Sequence, residues 1–276
     1  MNRSIVLVLA LVFAGYASAT SQTLADGESS ACAGKDSTRY VAGGEECLVY
    51  KAFGVPTAGE SPVLVVYLHG DVESGPADYL YVSAGWYIKP GVITMALLRP
   101  GYYDSEGNYS TDGELKNQRD NYTSHNVEAV ALAIQTLKKR YGAKKVILIG
   151  HSGGAIYAGV ILGKYPALAQ GAILANCNCN IIAWRSAMRF GNWSSSLSPS
   201  DFVNDILPTT RIIAISASGD DVVPTIVPRK YIDTLRERGL NAEYVEIPGD
   251  NHKFGPIVTS RAFSRGLSSL RDDAVR

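Results

Sequence analysis

Short, continuous apolar runs alternate with longer amphipathic segments along most of this chain. The runs have the length of strands, and their unbroken apolar character predicts strands buried on both faces of a parallel sheet. Seven such strands are indicated, beginning at Cys47, Val63, Val92, Lys145, Gly171, Arg211 and Ala242. Parallel strands need crossover connections, so the pattern predicts an α/β fold in which helices flank a mostly parallel sheet.

Helical periodicity fills several of the gaps between these runs. In residues 126–141 the apolar side chains share one face, cations occupy the last turn, and Gly142 follows as a C-terminal signal. Further helices are predicted over residues 153–164, 227–238 and 260–270. No internal repeat interrupts the alternation, so we expect one α/β domain over residues 36–276.

The first 35 residues follow a different pattern. A positively charged start precedes an apolar stretch at residues 5–15 that is too short to cross a bilayer, and Ala17-Ser18-Ala19 supplies small residues for cleavage. Residues 1–19 are therefore interpreted as a secretory signal peptide, with an N-terminal anchor or a buried helix as the alternative. Residues 20–35 are rich in Ser, Thr, Gly and Ala, which predicts a flexible lead-in.

Charge excludes two classes of partner. The formal net charge is zero, with 26 basic and 26 acidic residues and no basic stripe, so neither nucleic acid nor anionic lipid is expected to bind. No segment after the signal peptide is long and apolar enough to span a membrane. The oligomeric state stays open.

The chain has four cysteines, an even number that permits disulfides in the secreted or periplasmic location that the signal peptide implies. Pairing of Cys32 with Cys47 would staple the N-terminal segment to the first strand. A bond between Cys177 and Cys179 would be strained by their close spacing, so cross-pairing also stays open. With no second His or Cys cluster beside them, we expect no metal site and no cofactor.

Candidate chemistry centres on the segment GHSGG at residues 150–154, which follows a strand and opens a helix. Flanking glycines allow a sharp turn there, and such a turn would hold the Ser152 hydroxyl above the sheet as a nucleophile. The alternative interpretation is an ordinary helix start that happens to contain Gly-Ser-Gly.

A serine nucleophile needs a general base, and the chain offers four histidines. His69, His125 and His151 are interpreted as structural from their positions at element ends. His252 lies in a loop after the last strand, where the carboxyl edge of a parallel sheet would bring it to the same rim as Ser152. We therefore expect His252 to be the base.

An acid that orients the base should leave the preceding strand on the same rim. Asp220 and Asp221 both follow the strand that begins at Arg211, and their side chains should point in different directions. One of them can accept a hydrogen bond from His252, while the other is a turn residue. These residues alone leave the choice open.

Taken together, these segments resemble the α/β-hydrolase superfamily over nearly all of the mature sequence. The resemblance is carried by VYLHG, RPGYYDSEG, GHSGG, KYP, SGDDVVP and PGDNH, in the order Ser, Asp, His. It implies an eight-stranded sheet, whose missing strand would lie around Arg39 to Val41. It also implies Asp220 as the acid, because Asp220 stands four residues before Pro224.

The resemblance further implies an oxyanion hole made by the backbone N–H of Gly153 and by Asp71, with Val72 as the next candidate for the second donor. An inward carboxylate would repel the oxyanion, so the Asp71 side chain must point elsewhere or bind a Lys or Arg. In this superfamily residues 178–210 would hold a lid, and here that segment is short.

The resulting hypothesis is a serine hydrolase that cleaves carboxylic esters through an acyl-enzyme on Ser152. A short cap favours a small-molecule or accessible polymeric ester as the substrate. One alternative is a peptidase or amidase similar to prolyl oligopeptidase, without the usual propeller because the sequence lacks repeats of blade length. A second alternative is a non-catalytic, hydrolase-like binding protein.

Overall fold

The structure is a computed structural model that describes residues 30–113 and 121–275. Eight strands in these ranges form one sheet in the order β1-β2-β4-β3-β5-β6-β7-β8. They are β1 (Tyr40–Gly43), β2 (Glu46–Phe53), β3 (Val63–Leu68), β4 (Val92–Leu97), β5 (Lys145–His151), β6 (Gly171–Ala175), β7 (Arg211–Ala217) and β8 (Asn241–Ile247). Strands β1 and β2 pair antiparallel, as do β2 and β4, while every other pairing is parallel. The predicted fold class is confirmed, including the eighth strand before Cys47.

Helices cover both faces of this sheet in the described residues. They are α1 (Leu80–Trp86), α2 (Ser124–Arg140), α3 (Gly153–Lys164), α4 (Ile181–Ala187), α5 (Ile226–Glu237), α6 (Phe254–Val258) and α7 (Arg261–Val275). The four predicted helices correspond to α2, α3, α5 and α7. The sequence did not predict α1, α4 and α6, because five to seven residues are too few for a clear amphipathic period.

Two apolar layers lie on opposite sides of the sheet, and β3 contributes to both. Leu64, Val66 and Leu68 point into the layer under α2, α3 and α5, whereas Val65 and Tyr67 point into the layer under α1, α6 and α7. All five side chains are fully buried. This two-sided burial explains why the strand reads as a continuous apolar run.

Both disulfides join cysteines that are near in sequence. Cys32 pairs with Cys47, which ties the short 3-10 helix Ser30–Cys32 to β2, and Cys177 pairs with Cys179 directly after β6. The described structure therefore settles the pairing that the sequence left open, in favour of the close Cys177–Cys179 bond. The predicted signal peptide at 1–19 and most of the lead-in, 20–29, lie outside the described residues.

Parallel strands place the candidate residues at one edge of the sheet. Asp71, Ser152, Asp220 and His252 all follow the carboxyl ends of parallel strands, namely β3, β5, β7 and β8. The short cap lies between β6 and β7 and contains α4 and the 3-10 helix Pro199–Phe202. Within 30–113 and 121–275, no helix is both long and apolar enough to cross a membrane.

Candidate active site

Ser152 occupies a strained turn between β5 and α3. Its φ is 51° and its ψ is −119°, a region that a non-glycine residue adopts only at a cost of about 1–3 kcal/mol. The glycines on either side make the turn possible: a Cβ on Gly150 would lie 2.4 Å from the Gly154 carbonyl oxygen, and one on Gly154 would lie 2.0 Å from the Leu68 carbonyl oxygen. The crowded backbone leaves Ser152 partly exposed at the N-terminus of α3.

His252 is paired with a buried carboxylate. Its Nδ1 lies 2.9 Å and 2.8 Å from the two carboxylate oxygens of Asp220, whose side chain is completely buried. Asp220 Oδ1 also accepts hydrogen bonds from the backbone N–H groups of Val222 and Val223, at 2.9 Å and 2.8 Å. These donors fix the carboxylate, and the carboxylate fixes the imidazole with its Nδ1 proton toward Asp220.

The other ring nitrogen of His252 is unoccupied. His252 Nε2 is buried and has no hydrogen-bond partner among the described residues, Ser152 included. With Nδ1 committed to Asp220, Nε2 is the basic nitrogen of the neutral ring. It is therefore available to accept a proton from an incoming hydroxyl group.

Asp221 contacts His252 in a different way. Its Oδ1 accepts the backbone N–H of His252 at 3.2 Å and does not touch the ring. Of the two neighbouring aspartates, Asp220 is the one that binds the imidazole, and Asp221 holds the loop that carries it.

The Asp71 carboxylate is held by a cation and a hydroxyl. Arg99 Nη2 donates to Asp71 Oδ1 at 2.7 Å, and the Tyr122 hydroxyl donates to Asp71 Oδ2 at 2.6 Å. A Cβ built on Gly153 would lie only 2.7 Å from Asp71 Oδ1, so the carboxylate packs directly against the turn. The side chain thus has an Arg partner, one of the two arrangements that the sequence allowed, and its charge is compensated.

Backbone donors beside Ser152 are left free by these contacts. Neither the Asp71 N–H nor the Gly153 N–H makes a hydrogen bond within the described residues. The Val72 N–H, by contrast, interacts with the Tyr102 hydroxyl and works against the rise in the pKa of Tyr102 that burial causes. Of the two residues considered for the second donor, Asp71 is the one whose amide has no such interaction, so it is free to bind a substrate oxygen.

Arg99 is fully buried in an aromatic cage. Its guanidinium carbon lies 4.8 Å, 5.1 Å and 5.9 Å from the ring centroids of Tyr102, Tyr157 and Tyr122. Burial opposes the charge, but Tyr102 and Asp71 raise the pKa of Arg99 above its usual value. The guanidinium therefore stays charged and keeps Asp71 in place.

Two other histidines have structural contacts. His69 donates from Nδ1 to the Gly70 carbonyl at 2.7 Å and accepts the Arg99 N–H at Nε2 at 3.0 Å, and burial lowers its pKa well below the usual value. His125 pairs with Glu46 at 2.8 Å. Across the described ranges, no three His, Cys, Asp or Glu side chains are grouped so as to hold a metal ion.

The cap reaches this site through aromatic contacts. The Trp193 ring lies 5.7 Å from the Tyr122 ring and 5.5 Å from the Trp184 ring. The guanidinium carbon of Arg185 lies 4.2 Å from the centroid of the Trp193 ring. Trp193 contacts Tyr122, and Tyr122 in turn binds the side chain of Asp71. Only Tyr122 therefore lies between this part of the cap and Asp71, whose amide is free. This part of the cap can form a wall for a bound substrate.

Several residues of the site were not found by sequence reasoning. Arg99 and Tyr122 are 28 and 51 residues from Asp71 along the chain. The expectation that the Asp71 side chain points elsewhere or binds a Lys or Arg was the signal that could have found Arg99. No local pattern marked Tyr122.

A family model matches residues 107–265, more than half of the 276-residue chain, and its description is the prolyl oligopeptidase family. The chain belongs to the prolyl oligopeptidase family. In this member of the prolyl oligopeptidase family the matched segment includes Ser152, Asp220 and His252, whereas Asp71 and Arg99 precede it. No curated protein matches the sequence.

Solved structures show the same architecture. An esterase from Thermogutta terrifontis with bound propionate is 16% identical, with a TM-score of 0.62 over 85% of this chain and 94% of that one. Est1E from Butyrivibrio proteoclasticus is 14% identical, with a TM-score of 0.61 over 84% and 98%. The Pyrococcus furiosus esterase Pf2001 is also 14% identical, with a TM-score of 0.61 over 86% and 89%. This prolyl oligopeptidase family member therefore has the α/β-hydrolase fold that its motifs resemble.

Proposed function

We propose that this chain is a serine hydrolase that cleaves carboxylic esters through an acyl-enzyme on Ser152. One observation supports this most: a hydroxyl on a strained turn lies at the same sheet edge as an imidazole paired with a fully buried carboxylate. Structural histidines seldom combine a buried carboxylate on one nitrogen with an unpaired, buried second nitrogen, since the latter costs free energy.

The proposed reaction follows from these contacts. His252 Nε2 takes the Ser152 proton as the hydroxyl oxygen attacks the ester carbonyl, and Asp220 stabilises the imidazolium. The free N–H groups of Gly153 and Asp71 bind the developing oxyanion. The imidazolium then protonates the leaving alcohol, and water releases the acyl group by the same steps.

Esters are favoured as the substrate class because, of the three similar solved structures described above, two are esterases and Est1E is also seen with a carboxylic acid bound. One holds propionate, another holds butyrate, and a further structure of Est1E holds ferulic acid. The short cap also supports an accessible small or polymeric ester. The family description favours a second candidate, hydrolysis of peptide or amide bonds next to proline.

Two assays test the proposal. A fluorophosphonate probe should label the wild type and leave Ser152→Ala unlabelled at equal folded content. A panel of p-nitrophenyl esters should then be hydrolysed faster than Pro-aminoacyl anilides, and the reverse preference would support the peptidase. A folded wild type that takes no label would sink the enzyme proposal and favour a binding protein.

We further propose that the protein is exported, with residues 1–19 removed as a signal peptide and residues 36–276 folding as one domain. The two disulfides support an oxidising destination, outside the cell or in a periplasm. Mass spectrometry of the exported protein with and without reductant should show four paired cysteines and an N-terminus after Ala19. Free thiols throughout would contradict the proposed location.

A further inference from the structure

Tyr79 and His151 connect the loop after β3 with the loop that carries His252. The Gly70 N–H lies 2.6 Å from the Tyr79 hydroxyl, and this hydroxyl lies 2.6 Å from His151 Nδ1. On the opposite side of the imidazole, His151 Nε2 lies 2.8 Å from the His252 carbonyl oxygen. Three consecutive hydrogen bonds therefore join the two loops across the residue that precedes Ser152.

The direction of each bond follows from its end groups. The Gly70 N–H can only donate, so the Tyr79 hydroxyl accepts there and gives its single proton to His151 Nδ1. The His252 carbonyl can only accept, so the ring proton of His151 must reside on Nε2. One neutral tautomer satisfies the whole chain of bonds, and burial supports it by lowering the pKa of His151 to about 3.

We propose that Tyr79 and His151 are positioning residues that act as one unit, setting the distance between the oxyanion donors, Ser152 and His252. The unit touches the residue before each of two functional groups: Gly70 precedes Asp71, and His151 precedes Ser152. It also holds the backbone of His252 itself. This role rests on the proposed hydrolase function.

The contacts of Tyr79 support a role for its hydroxyl group. The residue is 38% exposed, so its ring is only partly buried, with an edge contact to the His151 ring at 5.7 Å. Its hydroxyl, in contrast, is enclosed between a backbone amide and an imidazole. The His151 ring also contacts two other rings, and its centroid lies 5.3 Å from those of both His252 and Phe254.

The first test removes only the hydroxyl, in Tyr79→Phe. With active sites counted by fluorophosphonate titration, kcat for a p-nitrophenyl ester should fall about five- to fiftyfold while KM changes less than about twofold. Tyr87→Phe is the matched control, because the Tyr87 hydroxyl donates to the Val258 carbonyl at 2.8 Å, outside this unit. The control should keep the wild-type kcat per active site.

A double-mutant cycle tests whether the two residues act together. If they form one bridge, Tyr79→Phe/His151→Phe should lose no more kcat than His151→Phe alone. Multiplied losses would show two independent effects and overturn the proposal. So would a Tyr79→Phe variant whose kcat per titrated site matches the wild type.

The hydrogen bonds themselves can be checked without turnover. In 15N-detected imidazole spectra, His151 should remain the neutral Nε2–H tautomer from pH 5 to pH 9, and its Nδ1 signal should shift in Tyr79→Phe. A protonated ring or the Nδ1–H tautomer in this range would refute the bridge. A wild type that binds no probe and turns over no ester would instead refute the proposed function, and with it the positioning role, even if the tautomer is as expected.

Discussion

Asp220 and Asp221 are adjacent in sequence but differ in what they bind at His252. Because Asp220 contacts the ring and Asp221 only the backbone N–H, Asp220→Asn should lower kcat by about 10³- to 10⁴-fold through loss of the correct tautomer. Asp221→Asn should lower kcat less than about fivefold. Steady-state kinetics on the preferred ester, with active sites titrated, separates the two variants. A larger loss in Asp221→Asn would transfer the role of the acid to that residue.

Asp71 and Arg99 differ in burial, which predicts an asymmetry in stability. Arg99 is completely buried and Asp71 is about one third exposed. Asp71→Ala leaves a buried cation without its carboxylate and should cost about 3 kcal/mol of unfolding free energy, whereas Arg99→Met leaves an aspartate that water can reach and should cost less. The double variant should be more stable than Asp71→Ala. Urea unfolding measures all three, and additive losses would show that the pair is not coupled.

At the scale of elements, the turn between β5 and α3 depends on the absence of a side chain at Gly154. A Cβ there would lie 2.0 Å from a backbone oxygen of β3, which cannot move without breaking the sheet. Gly154→Ala should therefore cost at least about 3 kcal/mol or prevent folding. The control is Gly191→Ala in the exposed cap, where a Cβ meets nothing within 4 Å. Equal melting temperatures for the two variants would contradict this account of the turn.

The long elements could be predicted from their own apolar pattern and the short ones could not, so that β1 was expected only because the resemblance implies an eighth strand. Strands such as β3 are buried on both faces, so their apolar runs are unambiguous, and α2 has four turns of amphipathic pattern with basic residues at its end. Helix α6 has only five residues, and β1 is a four-residue strand at the antiparallel edge of the sheet. Such pieces are stabilised mainly by what they pack against, which local sequence does not encode.

For the molecule as a whole, sequence order predicted which residues share the sheet edge, because parallel strands all deliver their following loops to one side. It could not predict the contacts made across that edge. The bridge from Tyr79 to His151 spans 72 residues, and the next bond, to His252, spans another 101. These contacts depend on how far each loop extends. The catalytic roles of Ser152, Asp220, His252, Gly153 and Asp71 stay predictions until the variants are measured.

The stability of the whole molecule should depend on pH because two histidines, His69 and His151, are buried and neutral. Burial lowers the pKa of His151 to about 3 and that of His69 well below its usual value, whereas both titrate near about 6.5 in the unfolded chain. Below about pH 6.5 these two histidines bind protons in the unfolded state but stay neutral in the folded state. Stability is therefore complete above about pH 7 and is lost as pH falls, by about 2 kcal/mol at pH 5 for His151 and by a further amount for His69.

His151→Gln removes one of these two titrating groups, so its unfolding free energy should fall between pH 7.5 and pH 5 by about 2 kcal/mol less than that of the wild type. Tyr87→Phe is the control, since it removes a partly buried hydrogen bond but no group that titrates in this range, and it should show the full wild-type slope. Urea unfolding at four or five pH values measures the slopes. The pH range ends at pH 5 because carboxylates also begin to titrate below that pH. One of them is Glu46: burial alone would raise its pKa, but hydrogen bonds to Thr111 and His125 lower it. A His151→Gln slope equal to that of the wild type would mean that the His151 ring is already protonated, or exposed to water, in the folded protein.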